Sequence, residues 1–277
     1  TPRIVILSAF DAELNRLVQA AEVTDRVLVN GRTVVIGKLE GQDVLLATSG
    51  VSMVNAAMMT QALLDTYTVR AVVMTGIAGG VNPDLHIGDV TVPAQWGQYQ
   101  EQVFARETAQ GWDTGVYGQP FGHYEMMFPQ PVEVVPSGSP PDRIEKRFWF
   151  AVDPGMLDAA RQAAQTVVLK KCLIPTQCLD PAPQVVVGGN GVSGSTFVDN
   201  ADYRTWVWET FQADALDMET AAVAQVAYVH GTPFLAFRSL SDLAGGGGGK
   251  NEMVVFMGLA AENSTRVVTA FLQTWKP

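Results

Sequence analysis

Residues 213–245, ADALDMETAAVAQVAYVHGTPFLAFRSLSDLAG, constrain the fold of this chain more than any other stretch. Glu219, Ala222, Val223 and Val226 share one helical face, while Ala221, Ala224 and Ala227 admit close packing. The segment His230-Gly231-Thr232-Pro233 stops that helix, with glycine past its end and proline just beyond. The short apolar run Phe234–Phe237 then reads as a buried strand, so the stretch is an α/β unit. Ligands of such sheets sit beyond the carboxyl ends of the strands, where Ser241 and Asp242 fall. The acidic pair Asp217 and Glu219 lies at the mouth of the helix, so carboxylates from separate elements converge on one sheet edge. Each acid alone has a plainer explanation: Glu219 as a helix cap, Asp242 as a polar loop residue.

The rest of the chain repeats the alternation. Ile4–Leu7 reads as a strand, and a helix from Asp11 carries Leu14, Leu17 and Val18 on its apolar face. Glu13 then sits in the first turn, where an acid is favoured by the helix dipole whatever else it does. Val34–Ile36 and Val44–Ala47 read as paired strands, followed by Ser49-Gly50-Val51 and a helix over Val54–Leu64. Ala71–Thr75 is a further strand running into a turn, Gly76-Ile77-Ala78-Gly79-Gly80, whose glycines let backbone approach a ligand. A helix over Met156–Leu169, a strand Val185–Gly188, a ligand-facing loop Gly191–Asn200, a helix over Asp202–Phe211 and a last helix Met253–Trp275 complete the pattern. Between Gly97 and Phe150 the pattern breaks down into a region rich in Gly, Pro and aromatics, among them Trp112, Tyr117, Phe121, Tyr124, Phe128 and Trp149. So long an irregular stretch is a functional loop or an interface, and its aromatics argue against disorder. At 277 residues and 47% hydrophobic, one large α/β domain over 1–277 is expected, with an insertion at about 97–150.

Several function classes are excluded. No apolar run reaches the roughly 18 residues of a membrane span. A net charge of -10 with only 18 Lys and Arg disfavours nucleic acid, which needs a basic stripe. A phosphate loop ending at Lys250 would need Gly at Ala244 and Ser or Thr at Asn251, so Gly245–Gly249 reads as a hinge. His86, His123 and His230 lack metal-ligand spacing, and no serine sits in a G-x-S-x-G elbow; neither a metal nor a cofactor is expected.

Taken jointly, the acid after the first strand, GIAGGV, STFV, DMETAA and SLSD resemble the nucleoside phosphorylase and nucleosidase superfamily. They are most similar to its methylthioadenosine/adenosylhomocysteine nucleosidase branch, over nearly the whole chain except 97–150 and the cysteine-bearing segment. The resemblance implies a three-layer αβα sandwich with a twisted mixed central sheet, assembled as a homodimer or larger. It implies hydrolysis of the N-glycosidic bond of a small-molecule purine nucleoside, adenosine or a 5′-substituted adenosine. In that reading Glu13 activates water, Met218 and Glu219 bind ribose, and Asp242, assisted by Ser241, protonates the purine at N7. Phe197 and the Val198 backbone contact the base, Ala78 and Gly79 lie along it, and Phe10 and Val51 flank the 5′ substituent. The superfamily's hexameric phosphorylases hold phosphate with arginines where this chain has Phe10–Glu13 and Met74, which favours water as the nucleophile. Ile77, where nucleosidases commonly carry serine, and Asp217, where they commonly carry Glu, depart from the pattern. A phosphate-dependent phosphorylase and a non-enzymatic nucleoside-binding or storage protein are the alternatives.

In CLIPTQC, Pro175 favours a bend that brings Cys172 and Cys178 together, and the polar segment looks like surface; a disulfide worth about 2 kcal/mol is expected. With an opening Thr1 in place of Met, and an insertion resembling exported relatives such as plant vegetative and bark storage proteins, this points to export to the periplasm or beyond. Without the bridge, a trimmed cytoplasmic chain is the alternative.

Overall fold

In the computed structural model, which describes residues 1–276, twelve strands form one mixed sheet. They are β1 (Arg3–Ser8), β2 (Glu22–Val29), β3 (Arg32–Leu39), β4 (Gln42–Thr48), β5 (Val69–Gly80), β6 (Val90–Val92), β7 (Gln95–Gln98), β8 (Trp149–Ala151), β9 (Val185–Val187), β10 (Asn190–Ser193), β11 (Ala213–Asp217) and β12 (Phe234–Asp242). The helices are α1 (Asp11–Ala20), α2 (Met53–Thr66), α3 (Pro154–Ala164), α4 (Ala201–Phe211), α5 (Thr220–His230) and α6 (Met253–Thr274). Helices α1, α3 and α6 form one layer, α2 and α5 another, with the sheet between them. Strands β1, β4, β5 and β12 are buried along most of their length, covered on both faces.

The sheet runs β8-β7-β10-β11-β5-β1-β4-β3-β2, and β12 pairs with both β5 and β6. Strand β5 is the pivot. One of its edges pairs with β12 from Phe234↔Val72 to Asp242↔Gly79. The other pairs with β1 only as far as Leu7↔Met74 and then, antiparallel, with β11 at Leu216↔Gly79 and Ala215↔Gly80. Between those ladders Thr75–Ala78 have no strand on that edge. A buried peptide group needs a partner, so the gap has to be filled by something other than backbone.

Several boundaries differ from the sequence reading. Gly76–Gly80 is not a turn but the end of β5, and Gly191–Ser193 is strand β10 and not loop. Helix α3 opens on Asp153, whose side chain accepts from Met156 N at 2.8 Å, and stops at Ala164 before the β-branched run Thr166-Val167-Val168. Strand β2, largely exposed, carries too little apolar alternation to have been read. The irregular 97–150 region contains three short antiparallel pairs, Gln102–Phe104 with Met127–Pro129, Arg106–Thr108 with Gly111–Asp113 and Val132–Val134 with Glu145–Arg147. Its aromatics dock it onto α4: Phe148 stacks on Phe211 at 5.2 Å, and Tyr124 meets Tyr203 edge-on at 5.0 Å. Cys172 and Cys178 face each other across a small hairpin and are disulfide-bonded.

Candidate active site

The gap on β5 is closed by charged side chains. Glu13, in the first turn of α1, reaches back to accept from Ala9 N at 2.8 Å and Phe10 N at 3.4 Å, the returning half of a capping box. Its other oxygen accepts from Ile77 N at 2.8 Å, one of the peptide groups that β1 and β11 leave unpaired. The Ile77 carbonyl accepts from Arg238 Nη1 at 3.3 Å. Gly76 has to be glycine, because a Cβ there would overlap both the Glu13 carboxylate and the Arg238 guanidinium.

Arg238 is fully buried on β12. Its Nε lies 2.7 Å from Asp217 Oδ2 and its Nη2 lies 3.4 Å from Glu219 Oε2. Asp217 in turn accepts from Ser193 Oγ at 2.5 Å and from Thr220 N at 3.1 Å, which starts α5. It is therefore Asp217, not Glu219, that caps the helix. Glu219 is left free to turn outward, its Oε1 accepting from Ser52 N at 2.8 Å at the entry to α2. Burial opposes the charge on Arg238, but Asp217, Glu219 and Glu13 together hold its pKa above the ordinary arginine value. One cation thus faces three buried acids. Burial pushes the Glu219 carboxyl up to about 7, with Arg238 pulling it down and Asp217 pushing it up. Glu13 is likewise raised by burial, against Arg238 and its three backbone donors.

Asp242, at the end of β12, is 3% exposed. Its Oδ2 accepts from Ser241 Oγ at 2.9 Å and its Oδ1 from Ala244 N at 2.9 Å. Burial raises its pKa against these hydrogen bonds. A Cβ at Gly79, its partner in register, would come within 3.2 Å of the carboxyl, so glycine leaves it room.

A cavity of about 250 Å³ opens over these groups. Phe10, Glu13, Val51, Ala78, Gly79, Phe197, Val198, Met218, Glu219, Ser241 and Asp242 all line it, from six separate stretches of chain. Phe197 and Val51 are about half exposed at its mouth, whereas Val198 is buried. The family model described as the phosphorylase superfamily matches residues 3–273, end to end across these elements. The chain belongs to that superfamily. Within the superfamily it is 30% identical over 278 residues to the 5′-methylthioadenosine/S-adenosylhomocysteine nucleosidase of Bacillus thuringiensis, covering 99% of this chain and 100% of the relative. The solved nucleosidase of Neisseria meningitidis in complex with methylthio-immucillin-A aligns with TM-score 0.73 and 25% identity over 99% of this chain and 100% of that one. The nucleosidase of Colwellia psychrerythraea in complex with adenine aligns with TM-score 0.73 and 26% identity over 99% and 96%.

Sequence reasoning missed four members of this superfamily site. Arg238 was hidden in the apolar run FLAFRSL; an arginine in a strand otherwise buried on both faces is itself the signal, since it must be paired there. Ser52 contributes only its backbone N–H. Met253 and Met257 line the cavity from the first turns of α6, a wall that helical periodicity alone does not distinguish from core.

Proposed function

We propose that this chain is a nucleosidase that hydrolyses the N-glycosidic bond of adenosine or a 5′-substituted adenosine to free adenine and a free sugar. The observation that carries the reading is the pair Glu13 and Asp242 opening onto one cavity, anchored at Ile77 and Gly79, two residues or about 7 Å apart along β5. Cleavage of the bond develops positive charge on the ribose and negative charge on the purine, so a base on the sugar side and an acid on the purine side both act on the transition state. Burial raises the Asp242 pKa and so favours the protonated form, from which the departing purine takes its proton at N7. Glu13, whose three backbone donors and Arg238 favour its ionised form against burial, takes a proton from the attacking water. Glu219 and the Met218 backbone receive the ribose hydroxyls, and Phe197 offers its ring to the base. The relatives named for methylthioadenosine and adenosylhomocysteine, one of them bound to adenine, support the substrate class.

Water is favoured over phosphate by the lining. Among the described residues no lysine or arginine lines the cavity, Arg238 being committed beneath it to Asp217, Glu219 and the Ile77 carbonyl. A phosphate dianion would meet the Glu13 carboxylate without a compensating cation. Simple storage is disfavoured, because binding alone gives no reason to hold three ionisable acids against burial. The deciding experiment offers methylthioadenosine and adenosine in phosphate and in phosphate-free buffer. Free adenine and free sugar in both are expected. Ribose 1-phosphate, or its 5′-substituted equivalent, in phosphate buffer would replace hydrolysis with phosphorolysis, and release of no base would replace catalysis with binding.

The same reading extends to assembly and compartment. The exposed apolar residues Val54 and Met58 on α2 continue from Val51 at the cavity mouth, a face suited to a second copy of the chain; light scattering showing only monomer would reject this. The disulfide hairpin supports export, because such bonds persist mainly outside reducing compartments. Recovery of the native protein only in the cytosolic fraction of its source would reject export.

A further inference from the structure

The segment between Asp242 and α6 contains five consecutive glycines, yet its far end is tied down by one side chain. Asn251 Nδ2 lies 3.1 Å from Asp199 Oδ1 and 3.4 Å from Asp242 Oδ1, and an amide nitrogen has a hydrogen for each. Its carbonyl oxygen accepts from Met253 N at 2.9 Å, satisfying a free donor at the start of α6. Asp199 follows Phe197 and Val198 directly, and Met253 belongs to the cavity wall. At the near end, Asn200 N donates to Ala244 O at 3.1 Å, and Gly245 sits so close to Asn200 that a Cβ there would strike its backbone. The glycine run is thus clamped at both ends against the loop that carries Phe197.

We propose that Asn251 is a positioning residue for Asp242, one side chain that joins Ser241 and Ala244 N in holding the acid's carboxyl and ties it to the Phe197 loop and to the α6 wall of the cavity. The proposal rests on the nucleosidase reading for its catalytic meaning but not for its physical content. Donation from Asn251 stabilises the ionised carboxyl, as do Ser241 and Ala244 N, whereas burial and Glu252 favour the neutral form. The other charged groups around Asp242 are Asp199 beyond Asn251, Lys250 in the glycine segment and Arg204 of α4 under Gly246. Glu13, Glu219, Asp217 and Arg238 lie on the remaining sides of the cavity and beneath it. Removing the Asn251 donor therefore raises the Asp242 pKa and cuts its tie to Asp199 and α6, leaving only Ser241 Oγ and Ala244 N on the carboxyl.

Two variants separate the donor from the cap. Asn251→Ala loses both; Asn251→Asp keeps an oxygen for Met253 N, loses the donor and adds a like charge. Two readouts are taken: the pH profile of adenine release, and titration of the Asp242 carboxyl by carbon-detected NMR, assigned with Asp242→Asn. In both variants kcat should fall about tenfold, the worth of about one hydrogen bond, with a smaller change in KM. The alkaline limb of the profile and the titrating carboxyl should both move to higher pH, further in Asn251→Asp. Recovery of wild-type turnover and titration in Asn251→Asp would reduce Asn251 to a helix cap and overturn the proposal. If the wild-type chain releases no adenine, the nucleosidase reading fails, and the NMR titration alone still decides whether Asn251 holds Asp242. Should Asn251→Ala fail to fold, Asn251→Asp carries the test.

Discussion

Replacing Glu219 with glutamine should make the protein more stable and less active at once, with a stability gain that grows with pH. Burial holds this carboxyl at about 7 against an ordinary 4.5, despite Arg238 at 3.4 Å. The unfolded chain releases the proton near 4.5 and the folded chain near 7, so between those values the native state binds more protons and stability falls as pH rises. Below 4.5 both states are protonated and the residue carries no penalty; above 7 both are ionised and the penalty is complete. At roughly 1.4 kcal/mol per pH unit it amounts to about 3 kcal/mol. Glutamine keeps the oxygen that Ser52 N uses at 2.8 Å and has no charge to bury. Urea unfolding of wild type and Glu219→Gln from about pH 5 to about pH 8 should show a small gap at the acid end that widens toward about 3 kcal/mol in favour of the variant. In parallel, kcat/KM should fall, because a charged acceptor for the ribose is lost. A stability gap that is flat across that range, or that closes as pH rises, would refute the reasoning.

Asp242→Asn preserves the shape and removes the proton donor, so kcat should drop by about 10² to 10⁴ with KM little changed, and Glu13→Gln should behave alike; unchanged turnover in either would show that its role is misassigned. Gly76→Ala puts a methyl group onto the Glu13 carboxylate and the Arg238 guanidinium, and should lower both turnover and the thermal midpoint; normal kinetics would mean that Glu13 need not be held where it is. Cys172→Ser with Cys178→Ser should lose about 2 kcal/mol in urea unfolding, and the unreduced wild-type chain, once unfolded, should take up no thiol label; two labels would reject the bridge.

The parts legible in the sequence were those whose information is local. Apolar runs marked β1, β4, β5 and β12, and His230-Gly231-Thr232-Pro233 marked the end of α5, where Gly231 takes the left-handed conformation. The eleven residues singled out as a site line one cavity because each ends or follows a strand or opens a helix at the same end of the sheet. The partners of Arg238 were illegible because its three acids lie at Glu13, Asp217 and Glu219, and only the fold brings the first of these to the other two. The glycines at 76–80 were misread as a turn because glycine reports missing space as readily as a bend: in β5 a Cβ at Gly80 would strike Leu240. The 97–150 region could not be parsed because its strands are three residues long, too short for a period to emerge, and its order comes from aromatic docking on α4.

The interrupted edge of β5 bears on how this scaffold can be redesigned. Beneath the ligand space lies a seam in the sheet, held closed by Glu13 and Arg238 through the peptide group of Ile77. Enlarging the pocket from below would unzip that seam and separate a buried cation from its carboxylates, so the floor is a fixed part. Val51 and Phe197 stand at the mouth and Met253 and Met257 on the α6 wall, outside the strands, where replacement disturbs no strand pairing. Libraries aimed at new sugar substituents belong on those four positions, and selection for altered substrates should leave the floor untouched.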